Sequence, residues 1–219
     1  MNSQRWVLSA VIALGVVASK DAAAQNYYAG VEVGNEHVSF NPNYSFVSGA
    51  TNRSFDNEAS GTGVGVLAGY RWKVAPDFSI SLQGRLSTSN ADWKLDLAEP
   101  ASLKYAIPVT AAVSLLPTFK VSEKISLFAE GGIAMGEIEE RKSAVSTSRY
   151  DVKEWQPGVV AGAGMSIAVD DQWSVHIEYR RTWYNELSYD SHLANGTHVE
   201  TIRDKPIQSM LRIGLIREF

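Results

Sequence analysis

Beyond its first two dozen residues the chain alternates apolar and polar side chains with a period of two, and turn-rich stretches cut that alternation into segments. A period of two is the signature of a strand with one apolar face, so helix is excluded for nearly the whole length. Eight strands are predicted, near residues 26–40, 62–74, 78–87, 105–121, 125–138, 154–169, 173–185 and 205–219. Ala75-Pro76-Asp77, Ser122-Glu123-Lys124 and Asp170-Asp171-Gln172 are short enough to be hairpin turns. The other four connections are long and polar, and short and long alternate strictly. All short turns therefore lie at one end of the sheet and all long loops at the other.

The first residues, MNSQRWVLSAVIALGVVASKDAAAQ, hold one early positive charge at Arg5, an apolar run from Trp6 to Ala18 and the small-residue pattern Ala22-Ala23-Ala24. This is the pattern of a secretory signal peptide. The expected division is a signal peptide over 1–24 and a single barrel domain over 25–219. The chain has no cysteine, so no disulfide framework holds the exported fold. A formal net charge of −4 gives no support for nucleic-acid binding.

One strand face reads Val31 and Val33, Val64 and Val66, Leu82 and Leu86, Val113 and Leu115, Leu127 and Ile133, Val159 and Met165, Ile177 and Tyr179, Ile213 and Leu215. A soluble barrel would turn that set inward, and a transmembrane barrel would turn it toward lipid. Aromatic residues decide for lipid: Trp72, Phe78, Phe119, Trp173 and Phe219 gather beside the short turns, and Tyr105, Trp155 and Trp183 near the long loops, as two interfacial girdles would.

The opposite face is rich in glycine and carries Glu32, Arg85, Glu130, Glu178, Arg180 and Arg212, three of each sign, six to eight positions from the short-turn end. At a rise of ~3.3 Å per residue and a tilt of ~40° they sit at one height, roughly 15–20 Å up the barrel. An eight-stranded barrel is just wide enough inside for side chains to fill, so these charges are expected to neutralise one another in the lumen. Arg181 and Arg217 interrupt the lipid face near its two edges and are expected to meet lipid phosphates. Pro108, Pro117, Pro157 and Pro206 each remove a ladder donor and mark bulges or strand starts.

From NYYAGVEVG to MLRIGLIREF the chain resembles the outer-membrane β-barrel family that includes opacity-type porin-like proteins, Ail-type surface proteins and the membrane domain of outer-membrane protein A. Tyr28-Ala29-Gly30 and Ala68-Gly69-Tyr70 are similar to that family's patterns. The resemblance implies that the alternating residues Leu211, Ile213, Leu215 and Phe219 are the address read by the barrel-assembly machinery, with Arg217 a departure from the usual apolar residue. The fold class expected is all-β: an eight-stranded antiparallel up-and-down transmembrane barrel with short periplasmic turns and long extracellular loops, in the cell outer membrane.

The function expected is non-enzymatic. The protein would be a structural or adhesive surface barrel whose partners are outer-membrane lipid, lipopolysaccharide and, through loops carrying Tyr44, Phe46, Arg53, Phe55, Arg141, Lys142, Arg149, Tyr150 and Tyr189, host or other cell-surface molecules. No cofactor or metal is expected, and no catalytic residue is assigned. The alternatives are a small porin-like channel and an enzyme modifying lipid A. For the last, the candidates are His37 with Ser39, which has no evident carboxylate partner, His176, and His192 with His198, which lie near Asp190 and Glu200 but without a recognised metal-ligand spacing.

Overall fold

The computed structural model describes residues 26–40, 42–46, 53–54, 57–97, 101–143, 150–192 and 197–219. The segment read as a signal peptide, and Phe55 and Arg149 among the loop residues, lie outside them. The described elements are all strands: β1 (Tyr27–Phe40), β2 (Asn43–Phe46), β3 (Arg53–Ser54), β4 (Asn57–Ala75), β5 (Phe78–Ser89), β6 (Asp92–Leu97), β7 (Ala101–Lys120), β8 (Ile125–Ser143), β9 (Tyr150–Ala168), β10 (Trp173–Tyr184), β11 (Leu187–His192), β12 (His198–Asp204) and β13 (Ile207–Glu218).

Eight of them close a barrel. Neighbours run β1-β4-β5-β7-β8-β9-β10-β13, every pair is antiparallel, and β13 returns to β1 with Val31 opposite Leu215 and Val33 opposite Ile213. Closure leaves no free edge, a condition that any sheet crossing hydrocarbon must meet. The short turns are built by side chains suited to them: Asp170 Oδ1 accepts from the amides of Gln172 and Trp173, each at 2.8 Å, and Ser122 Oγ accepts from the Ile125 amide at 3.1 Å.

The apolar face is outside. Val31, Leu82 and Ile213 are exposed, as are Val64, Val113, Leu127, Ile133, Val159 and Leu215. Near the short turns Tyr27, Tyr70 and Trp72 form a row of edge-on rings with centroids 4.7 and 4.9 Å apart. Such a belt suits an interface where rings meet both lipid and water.

Two expectations are corrected. Tyr105, expected in the loop-side girdle, is fully buried inside the barrel, and so is Ile107 two residues on. The cause is a bulge at Pro108: pairing with β8 slips between Ala106 and Val109, and the strand's faces exchange across the extra residue. The long connections are also not simply loops. The first and last of them fold against each other as a second sheet, β11-β12-β2-β3, and β6 extends the barrel wall beside β7. The wall strands run further at this end than expected, β4 starting at Asn57 and β8 continuing to Ser143. Their upper residues keep the two-residue alternation, but its polarity is reversed, so a reading that follows one apolar face loses them.

Candidate functional site

The barrel encloses two stacked fillings. The lower one begins where small inward residues leave room. A Cβ on Gly65 would lie 2.8 Å from Glu32 Oε1, and one on Gly162 3.1 Å from Glu130 Oε2, so glycine at these positions supplies the volume that long ionic side chains occupy. Glu32, Arg85, Glu130, Glu178, Arg180 and Arg212 all point into that volume and all are buried.

Arg85 is the hub. Its guanidinium donates to Glu178 through both terminal nitrogens and lies 3.4 Å from Glu32 and 3.7 Å from Glu130. Arg212 donates to Glu32 and lies 3.7 Å from Glu36. Arg180 is buried among the same charges, and among the described residues none accepts a hydrogen bond from its guanidinium. The network is wider than the sequence suggested. Glu36 joins it, accepting from Gln208 Nε2 at 2.6 Å, and Tyr184 donates to Gln208 Oε1 at 2.7 Å. His176 stacks on Phe128, with centroids 4.4 Å apart, and sets Nε2 3.2 Å from Glu178. Glu36 and Gln208 share the inward parity of Glu32 and Arg212, and that was the available signal. With four carboxylates against three guanidiniums, a proton on one carboxyl or on His176 brings the lumen to neutrality.

Above the ions the filling changes character. Val38, Phe40, Ala59, Ala91, Tyr105, Ile107, Ile138, Tyr184 and Leu187 form one buried apolar cluster across the barrel. Phe40 and Trp93 flank the Tyr105 ring at 5.3 and 5.5 Å. The two halves are joined at Tyr184, whose ring is in the apolar layer and whose hydroxyl bonds Gln208 below. Gly136 makes room for it, since a Cβ there would meet that ring at 2.6 Å.

Over this layer sit Glu140 and Asp204, both fully buried, with the Tyr189 hydroxyl donating to Glu140 Oε2. Glu140 lies three residues beyond Glu137, the register partner of the girdle residue Trp155, and so stands clear of the hydrocarbon. Burial, and then the neighbouring Asp204 carboxylate, push its carboxyl up to about 8, against the pull of the Tyr189 bond. It is therefore protonated at neutral pH and can share a proton with Asp204. Chemically the stack is a closed column, in which ion pairs are held by ion pairs and an apolar layer separates them from the outside.

The remaining predicted residues fall as follows. Leu211, Ile213 and Leu215 face outward along β13, with Phe219 just beyond its end. The guanidinium of Arg181 lies 5.5 Å from the Trp183 ring, and that of Arg217 lies 5.7 and 5.2 Å from the Trp173 and Phe219 rings. His192 pairs with His198 in the backbone register of the β11–β12 hairpin. His37 and Ser39 lie on the outer wall, remote from the lumen.

Residues 7–199 match the family described as outer membrane protein beta-barrel domain. No curated protein matches the chain in sequence. Among solved structures it is similar to the outer membrane protein OprG from Pseudomonas aeruginosa, at 12% identity and TM-score 0.57, covering 90% of this chain and 97% of that one. It is also similar to the outer membrane protease OmpT from Escherichia coli, at 9% identity and TM-score 0.56, covering 92% and 99%. Neisserial surface protein A follows at 14% identity and TM-score 0.47, covering 88% and 97%. At these identities the likeness is one of fold.

Proposed function

The chain belongs to the outer membrane protein beta-barrel domain family, and from that premise we propose that it is a sealed surface barrel whose contacts with molecules outside the cell are made by its loop-end sheet. The observation that carries this reading is the apolar layer over the ion network, which leaves no continuous polar route through the barrel. A channel would need the opposite. The β11-β12-β2-β3 sheet, formed from the first and last connections, supports a fixed contact surface in place of a set of independent loops. The structural or adhesive role without chemistry in the lumen also fits His176, whose ring is spent on Phe128 and Glu178.

In this reading residues 1–24 are removed on export, and Leu211, Ile213, Leu215 and Phe219 are read by the assembly machinery. Arg181 and Arg217, each leaning on an aromatic ring at an edge of the lipid face, contact lipid phosphates. The test is twofold. In planar bilayers the folded protein gives no steady conductance, and steady current that changes on neutralising Arg85 would overturn the sealed barrel. Replacing 41–56 and 186–204 by short turns leaves a folded, heat-modifiable barrel that no longer supports binding to cells or lipopolysaccharide, and unchanged binding would remove the loop-end sheet from the account.

A further inference from the structure

The outer wall carries a polar patch near its loop end that the sealed-barrel reading does not use. Near the loop end of β1 and β4 the outward residues cease to be aliphatic. Asn35 pairs with Thr62, His37 with Ser60 and Ser39 with Glu58. One row below, Val33 pairs with Val64 and faces lipid. The patch therefore lies where the wall passes from hydrocarbon to headgroups.

Three of these side chains are in an order with chemical meaning. Ser60 Oγ is 3.0 Å from His37 Nδ1, and Glu58 Oε2 is 3.6 Å from His37 Nε2. A carboxylate at Nε2 favours the tautomer with its proton there. The Nδ1 lone pair is then directed at the serine hydroxyl. The sequence had suggested Ser39 as the partner of His37. Across the sheet it is Ser60 that meets the ring, and the carboxylate comes from the same strand two residues earlier.

The three groups adjoin a groove of about 550 Å³ on the wall, lined at its membrane end by Tyr179 and Leu211 and beside the serine by Asn35 and Thr62. An acyl chain lying in the bilayer fits along the apolar end. Asn35 and Thr62 are the donors available to a carbonyl oxygen. The segment that follows Ser60 is fixed from behind: Asn90 Oδ1 accepts from the Thr62 amide at 2.7 Å, and Gly61 admits that approach, since a Cβ there would lie 2.5 Å from the Ala91 nitrogen. Two strands away Arg181 pairs with Ser209, itself the partner of His37, placing a positive charge beside the site for an anionic headgroup.

We propose that Ser60 and His37, positioned by Glu58, form an esterase site on the outer wall that cleaves an acyl ester of an anionic outer-leaflet lipid. Ser60 Oγ attacks the ester carbonyl carbon and passes its proton to His37 Nδ1. The bond from carbonyl carbon to alcohol oxygen breaks, and that oxygen takes the proton from His37, leaving acyl-Ser60. Water, deprotonated by His37, attacks the acyl carbon, and the fatty acid leaves as the proton returns to Ser60. The net reaction is ester plus water to alcohol plus acid. This activity adds to the loop-end reading and does not depend on it.

The test uses the full-length folded protein in detergent and in outer membranes, with heat-modifiable gel mobility as the folding control. An alkyl fluorophosphonate adds one equivalent to the wild type at Ser60, labels Ser39→Ala equally and leaves Ser60→Ala unlabelled. With p-nitrophenyl decanoate, Ser60→Ala abolishes turnover and His37→Ala lowers it by roughly 100- to 10,000-fold. Glu58→Gln lowers kcat with KM unchanged, and Glu58→Asp restores part of the loss. Mass spectra of cellular lipids separate the sources: loss of one acyl chain from lipid A, or accumulation of lysophospholipid, appears with the wild type and vanishes with Ser60→Ala. A folded wild type that takes up no fluorophosphonate and cleaves no ester overturns the proposal, as does labelling that persists in Ser60→Ala.

Discussion

The lower and upper halves of this barrel share strands, alternation and closure, yet they are built inside out with respect to each other. On β8 the outward residues Leu127, Ile133 and Met135 are aliphatic while Glu130 points inward. A few residues later Glu137, Glu139 and Arg141 line the outer side while Ile138 is fully buried within. β1 makes the same exchange, from outward Val31 and Val33 around Glu32 to inward Val38 and Phe40 beside outward His37. The difference teaches that the solvent outside sets what the inside must be. Where hydrocarbon surrounds the wall, the confined interior takes the polar residues; where water surrounds it, the same strands pack as an ordinary soluble core.

The sharpest way to break the comparison is to remove a charge from the lower half. Arg85→Met leaves Glu178, Glu32 and Glu130 facing one another without their hub. A loss of about 3–5 kcal/mol is expected in urea unfolding from lipid vesicles. If the ion network were a wet, screened surface, the loss would stay under about 1 kcal/mol.

The corresponding change above is Ile138→Ala, which opens a cavity in the apolar layer and should cost about 3 kcal/mol in the same assay. The loss should appear without new conductance, because the ions below still fill the lumen.

A third prediction separates the halves by pH. The Glu140 carboxyl is raised in the folded state from its ordinary 4.5 to about 8, so the folded protein holds a proton that the unfolded chain has released. The stability this proton contributes is fully present below about pH 4.5, falls by roughly 1 kcal/mol per pH unit between there and pH 8, and is absent above. Proteolysis of the loop-end sheet should accordingly quicken on going from pH 6 to 8.5, and Glu140→Gln should flatten the response. The smallest effect belongs to the outer surface above the membrane. Lys153, exposed and bridged to Glu137 and Glu139 at 2.8 and 2.9 Å, should cost under about 1 kcal/mol when replaced by alanine.

Much of the lower half was legible in the sequence, because one physical rule runs through it: alternate residues face lipid, and Glu32, Arg85, Glu130, Glu178, Arg180 and Arg212 fall on the other parity at one depth. The upper half was not, for two reasons. Following a single apolar parity classifies Tyr105 and Ile107 as lipid-facing, whereas the Pro108 bulge turns them inward. It also dismisses Val38, Phe40 and Ile138 as exceptions, although they are the first residues of the reversed pattern. The long connections read as loops because their strands pair with segments far away in the chain, as β12 does with β2. No local alternation specifies such a partner. The Ser60–His37–Glu58 grouping was hidden for the same reason, since it depends on which residue of β4 lies opposite His37.

The reversal can be read directly by site-directed spin labelling, since the chain has no native cysteine. Labels are placed singly at positions 133 and 139, outward on the same strand, in protein reconstituted in vesicles. Collision with molecular oxygen should dominate at 133 and collision with a water-soluble nickel chelate at 139. Strong chelate collision at both positions would mean that water surrounds the whole barrel, and the account of a wall whose faces exchange polarity at the membrane surface would be contradicted.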